Sequence, residues 1–147
     1  MNTLSQKATD LLKRLIAIPS FSKEEDRTAL AIIEFFEKEG IEVHRTGNNI
    51  WVRNKHFTAA KPSVLLNSHH DTVKPNSGYT RDPFKPDIVD GKLFGLGSND
   101  AGGPLVSLIA TFLHFYERTD LKYNVVLAAT AEAVSYTHLT LPTILRV

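Results

Sequence analysis

Leu4, Ala8, Leu11, Leu12, Leu15 and Ile16 recur at the spacing of one helix face, and Pro19 closes the pattern. Ser22 with Glu25 three residues on reads as a capping box. It opens a second predicted helix through Leu30, Ile33 and Phe36, with Gly40 in the position of a C′ glycine. Residues 41–46 alternate like a strand, Gly47-Asn48-Asn49 is a turn signal, and residues 50–53 read as the returning strand of a hairpin. Within 62–67, Val64, Leu65 and Leu66 form a continuous apolar run, which suits a strand buried on both faces. Asp90-Gly91, inside 84–94, predicts a tight turn between two short extended pieces. Pro104 at a first helical position opens a helix whose residues Leu105, Leu108, Ile109, Phe112, Leu113 and Tyr116 keep the helical period. Residues 125–129 predict a second buried strand. No repeat, low-complexity tract or linker interrupts this order. The expected class is α/β, a mixed sheet flanked by helices.

Composition narrows the picture further. A length of 147 residues suits one domain with a real core, and 42% hydrophobic with 22% charged residues is ordinary for a soluble protein. A net charge of +1 gives no field for nucleic acid or an anionic membrane. The absence of cysteine removes disulfides and thiolate metal sites. Residues 1–10 are polar and carry no apolar signal core, and no apolar run approaches the ~20 residues that span a bilayer. A cytoplasmic protein with neither nucleic-acid nor membrane partner is expected.

The chemistry lies where predicted strands end. His69 and Asp71 follow the first apolar strand, Asp100 sits in a Gly-rich loop before the long helix, and Glu132 follows the second strand. In open α/β sheets, ligands bind beyond the carboxyl ends of strands, so these residues are expected to share one rim. Imidazole nitrogen with carboxylate oxygen, and no thiol, is the donor chemistry of a hydrolytic zinc or cobalt site. Residues two apart on a strand face the same side, so Asp71 can accept a hydrogen bond from one nitrogen of His69, fixing its tautomer and leaving the other nitrogen for a metal. Plainer roles compete with these. His70 could be the exposed neighbour of a structural histidine, Asp100 a helix N-cap and Glu132 a surface acid. Gly95-Leu96-Gly97 lacks the third glycine of a dinucleotide fingerprint. His44, His56 and His114 have no partner pattern and are expected to be structural or exposed.

Three motifs carry a resemblance. His69-His70-Asp71-Thr72-Val73, Thr80-Arg81-Asp82-Pro83-Phe84, and the run from Asp90 through Gly95-Leu96-Gly97-Ser98-Asn99-Asp100-Ala101-Gly102-Gly103 occur in the order of the M20 metallopeptidases and deacylases. Their flavour resembles acetylornithine deacetylase, and Ile18-Pro19-Ser20-Phe21-Ser22 is similar to the family's opening. The resemblance implies a zinc-exopeptidase-like catalytic domain, with His69 and Asp100 as metal ligands and Asp71 as the catalytic carboxylate that orients His69. It also implies a cis peptide bond after Asp100 and two zinc or cobalt ions in the complete parent. The parent is then a metal-dependent hydrolase acting on an N-acyl amino acid such as acetylornithine, homodimeric through a domain missing here. An aminoacylase or dipeptidase of the same family, or a non-catalytic α/β binding module, are the alternatives.

The pattern breaks after Thr130-Ala131-Glu132. The family continues with two consecutive glutamates, a general base and a metal ligand, where this chain has Ala133 and Val134. Residues 1–132 are therefore read as the N-terminal part of the catalytic domain, and 133–147 as a non-native tail. On that reading the chain is an inactive fragment whose own metal binding is weak or absent.

Overall fold

A computed structural model describes residues 3–132; the suspected tail, 133–147, lies outside the described residues. Helix α1 (Leu4–Ile16) forms where its apolar period places it. Thr3 caps it, the hydroxyl accepting from the Gln6 amide at 3.2 Å, and Leu11, Leu12, Leu15 and Ile16 are buried. Helix α2 (Asp26–Lys38) buries Ala29, Ile32 and Phe36.

The predicted capping box at the start of α2 does not form. Glu25 is the N-cap residue but makes no side-chain cap bond. Its fully buried carboxylate accepts from the Lys23 amide at 2.6 Å and from Asn48 Nδ2 at 2.9 Å. The Ser22 hydroxyl donates instead to Asp71 Oδ2 at 2.7 Å. A hydrogen bond to a carboxylate is about twice as strong as a neutral one, so Asp71 draws the Ser22 hydroxyl away from the local motif.

Strands β1 (His44–Thr46) and β2 (Asn49–Arg53) form the expected hairpin, with Thr46 opposite Asn49 across Gly47-Asn48. Strand β3 (Ser63–His69) runs parallel to β6 (Asn124–Thr130), and β6 runs antiparallel to β2. The sheet order is β1-β2-β6-β3. Every residue of β6 is buried, as its apolar run predicts. The same expectation fails for β3. Among the described residues it is an edge strand with one neighbour, and Val64 is 42% exposed. His44 stacks on Trp51 with ring centroids 3.9 Å apart, so its role is structural.

A separate hairpin, β4 (Asp87–Val89) and β5 (Lys92–Phe94), turns at Asp90-Gly91, both with positive φ. A short turn (Ser98–Gly102), whose backbone is non-helical at Asp100 and Ala101, then feeds helix α3 (Gly103–Phe115), with Pro104 in its first turn. The three helices share one core with the sheet face that carries Ile50, Val52, Val125, Leu127 and Ala129. Phe36 and Phe112 meet edge to face at 6.0 Å near its centre, and Phe112 also packs against Tyr116. Among the described residues no helix is long and apolar enough to cross a membrane.

Truncating a fully buried phenylalanine leaves a cavity, whereas trimming an exposed valine does not. In urea unfolding, Phe112→Ala is expected to cost about 3–5 kcal/mol. Val64→Ala on β3 is expected to cost under ~1 kcal/mol. Equal costs at the two sites would contradict this placement of the core.

Candidate metal centre

The β3–β6 pairing sets the frame. His69 is in register with Thr130 at the end of both strands, and the His70 amide extends the ladder by donating to the Thr130 carbonyl at 3.0 Å. The chain then runs alongside residues 20–22. The Thr72 amide donates to the Ser20 carbonyl at 2.8 Å, and the Ser20 hydroxyl donates to the His70 carbonyl at 3.0 Å. These bonds bring Ser22 beside Asp71.

His69 and His70 point to opposite faces, as neighbours on a strand must. The expectation that His70 is the exposed one is corrected here: it is buried. Its Nε2 donates to the Asn48 carbonyl at 2.9 Å, and its Nδ1 lies 2.9 Å from the Thr28 hydroxyl. A carbonyl can only accept, so Nε2 carries a proton, while the one proton of the Thr28 hydroxyl is shared between the Glu25 carbonyl at 3.0 Å and the environment of Nδ1. Burial holds the His70 pKa below the ordinary imidazole value.

His69 is about one-fifth exposed and faces two carboxylates. Its Nδ1 lies 3.1 Å from Asp71 Oδ1, and its Nε2 lies 3.0 Å from Asp100 Oδ1. Asp71 has no solvent access, whereas the Asp100 side chain is 89% exposed. The hydrogen bond to Asp71 raises the His69 pKa, against desolvation, with Asp100 adding to the rise. In the metal-free protein both ring nitrogens can donate at once, which is the imidazolium form.

Asp100 is held out toward His69 by the Gly-rich loop. It is not the N-cap of α3, as its sequence position allowed; that residue is Gly102. The Asp100-Ala101 peptide bond is cis. Gly97 has φ +76, and a Cβ there would lie 2.6 Å from the Thr72 methyl group. A Cβ on Gly102 would lie 2.6 Å from Leu12 Cδ1 and 2.7 Å from the Gly97 carbonyl oxygen. Glycine at these positions lets the loop pack onto α1 and Thr72. That is what these glycines do; no phosphate cradle is needed to explain them.

His69, Asp71 and Asp100 thus meet at one rim of the sheet. Glu132 adds no further ligand: among the described residues no three histidine, cysteine or acidic side chains are placed so that all could hold one metal ion. The donor set nonetheless fits a divalent metal as far as it goes. Nε2 and Oδ1 are close enough for one ion to lie at about 2.0–2.2 Å from each. Asp71 occupies the other nitrogen, as metal-bound imidazoles require. Sequence reasoning did not find Ser22 and Thr28, which hold Asp71 and His70. Ser22 stood in view but looked like a helix cap, and nothing local marked Thr28.

Residues 65–132 match the sequence profile of peptidase family M20/M25/M40. The chain is 32% identical over 111 residues to the succinyl-diaminopimelate desuccinylase of Rhizorhabdus wittichii, covering 69% of this chain and 28% of that protein. It is 35% identical over 126 residues to a Pyrococcus furiosus protein assigned as a LysW-lysine/LysW-ornithine hydrolase, covering 84% of this chain and 33% of that one. Among solved structures, the M20 family metallo-carboxypeptidase Sso-CP2 of Sulfolobus solfataricus superposes with a TM-score of 0.66 at 25% identity, over 90% of this chain and 31% of that one. The chain therefore spans about a third of the length of the curated relatives it matches. The matched segment reaches from β3 through the hairpin and α3 to the end of β6.

The two adjacent histidines should titrate on opposite sides of the ordinary value of 6.5. A raised folded pKa stabilises the fold below the unfolded value and loses that effect as pH rises through the folded one, so His69 favours folding on the acid side. A lowered pKa works the other way, and His70 costs stability as pH falls below 6.5. Side-chain nitrogen NMR of the metal-free protein should place the His69 midpoint above 6.5 and the His70 midpoint below it. Midpoints on the same side would refute the assigned environments.

Proposed function

We propose that the protein to which this segment belongs is a metal-dependent amidohydrolase, cleaving the amide between an acyl group and the amino group of a diamino acid. The observation that supports this best is His69, with Nδ1 turned to a buried carboxylate and Nε2 turned to Asp100 at 3.0 Å. The names of two relatives give succinyl-diaminopimelate in one case and LysW-lysine or LysW-ornithine in the other. Acetylornithine, suggested by the motif flavour, shares their chemistry: an amide on a nitrogen of a diamino acid. That class is the reading adopted here, with acetylornithine as one member.

On this reading His69 Nε2 and Asp100 hold the metal, zinc or cobalt. When bound, the metal supplies a Lewis acid for the amide carbonyl and lowers the pKa of water. Asp71 is the catalytic carboxylate that keeps the His69 proton on Nδ1, so that the Nε2 lone pair faces Asp100. Ser22 fixes the second oxygen of Asp71 and so the plane of its carboxylate. The described residues hold two converging donors, so further ligands and the general base would come from elsewhere in the complete protein. A second metal ion belongs to that same completion. Ala133 and Val134 supply neither ligand nor base, and we read the 147-residue chain as inactive alone.

General-base catalysis contributes about 10²–10⁴-fold, and a missing ligand adds to its loss. The 147-residue chain, supplied with zinc or cobalt, is expected to release no detectable amine from N-acetylornithine or N-succinyl-diaminopimelate. The complete gene product is expected to hydrolyse at least one of them, and Asp100→Ala to lower its kcat at least ~10²-fold. Undiminished turnover in Asp100→Ala would sink the assignment of this site.

A further inference from the structure

The loop before Asp100 and the β4–β5 hairpin border an open hollow of about 680 Å³. Tyr79, Arg81, Lys92, Phe94, Ser98 and Asn99 are among the residues that line it. A second hollow, of about 280 Å³, has Tyr79, Gly95, Ser98 and Asn99 in common with it and extends to Asp100. The two hollows therefore lie side by side, Asp100 lining the smaller and Arg81 and Lys92 the larger, and we refer to them together as the trench. Its size is that of a small-molecule site.

The far end of the trench is cationic. Lys92 and Phe94 are two apart on β5 and so lie on one face of it. The Arg81 guanidinium lies over the Phe94 ring, with Cζ 4.1 Å from the centroid. Stacking of this kind fixes the guanidinium plane and leaves its N–H edge free to donate. Neither Arg81 nor Lys92 forms a salt bridge among the described residues. One acid lines the same cavity, Asp82, and its Oδ1 already accepts from the Phe84 amide at 2.9 Å. Asp87, opposite Phe94 on β4, is engaged by Lys85. Two cations lining one hollow, one of them placed over an aromatic ring, suit a carboxylate bound through both its oxygens.

We propose that Arg81 and Lys92 form the subsite for a free carboxylate on the acyl group of the substrate. This narrows the class adopted above: the acyl group is that of a dicarboxylic acid, such as N-succinyl, in preference to N-acetyl. This rests on the hydrolase reading only for placing the scissile amide at the Asp100 end of the trench.

The test uses the metal-free 147-residue chain at constant salt, with succinate and N-acetylornithine as separate probes followed by amide and arginine side-chain NMR. Succinate is expected to shift the Arg81 Nε–H signal and the amides of Lys92, Ser98 and Asn99. Arg81→Gln and Lys92→Gln, both at exposed positions, should each weaken binding about tenfold while leaving the rest of the spectrum in place. N-acetylornithine should bind at least about tenfold more weakly than succinate. Succinate shifts that persist in both variants, the absence of succinate shifts at these residues, or equal binding of the two probes would each overturn the proposal. Metal does not enter this measurement, so its failure leaves the His69–Asp100 reading standing. Loss of the metal site in its turn would not move the succinate signals.

Discussion

The carboxylate of Asp71 has no access to solvent. A buried charge is tolerated only when hydrogen-bonded, and this one fixes much of what surrounds it. One oxygen faces His69 Nδ1 and the other accepts from Ser22. To bring Ser22 there, the segment after α1 must lie alongside residues 70–72, which the Ser20–Thr72 and Ser20–His70 bonds accomplish. To bring His69 there, β3 must end in register with β6. A single burial thus ties the N-terminal helix segment, the parallel strand pair and the imidazole into one geometry. The orientation of Nε2 toward Asp100 follows from it.

Around that centre the rim is built from two kinds of constraint. On one side His70 is buried and bonded to Asn48 on the hairpin turn and to Thr28 on α2, which ties the end of the strand to both. On the other side close-packed glycines press the Asp100 loop against α1 and Thr72. Asp100 itself stays exposed. It is the adjustable partner of the pair, and His69 is the fixed one.

Much of this was legible in the residues, and the exceptions have physical causes. Helices α1 and α3, strand β6 and the turns at Gly47-Asn48 and Asp90-Gly91 all rest on local period or turn chemistry, and they stand where the pattern puts them. The apolar run of β3 told of hydrophobic residues but not of how many strands flank it. Ser22 and Glu25 have the spacing of a cap, yet each is bound by a partner far along the chain, Asp71 and Asn48. Alternation puts His69 and His70 on opposite faces, but only the docking of α2 decides which face is covered. The link from His69 to Asp100 spans 31 residues, with nothing local to announce it. Motif resemblance, together with the rule that strand ends deliver ligands, pointed to it.

The central claim is that Asp71 presents His69 Nε2, together with Asp100, to a divalent metal. A zinc titration of the chain followed through its histidine side-chain NMR signals tests this most directly. The account predicts that His69 shifts or broadens first, with zinc at its Nε2, and that Asp100→Asn abolishes the change while His70 and His44 hold their positions. Zinc that perturbs other histidines and leaves His69 untouched would contradict it.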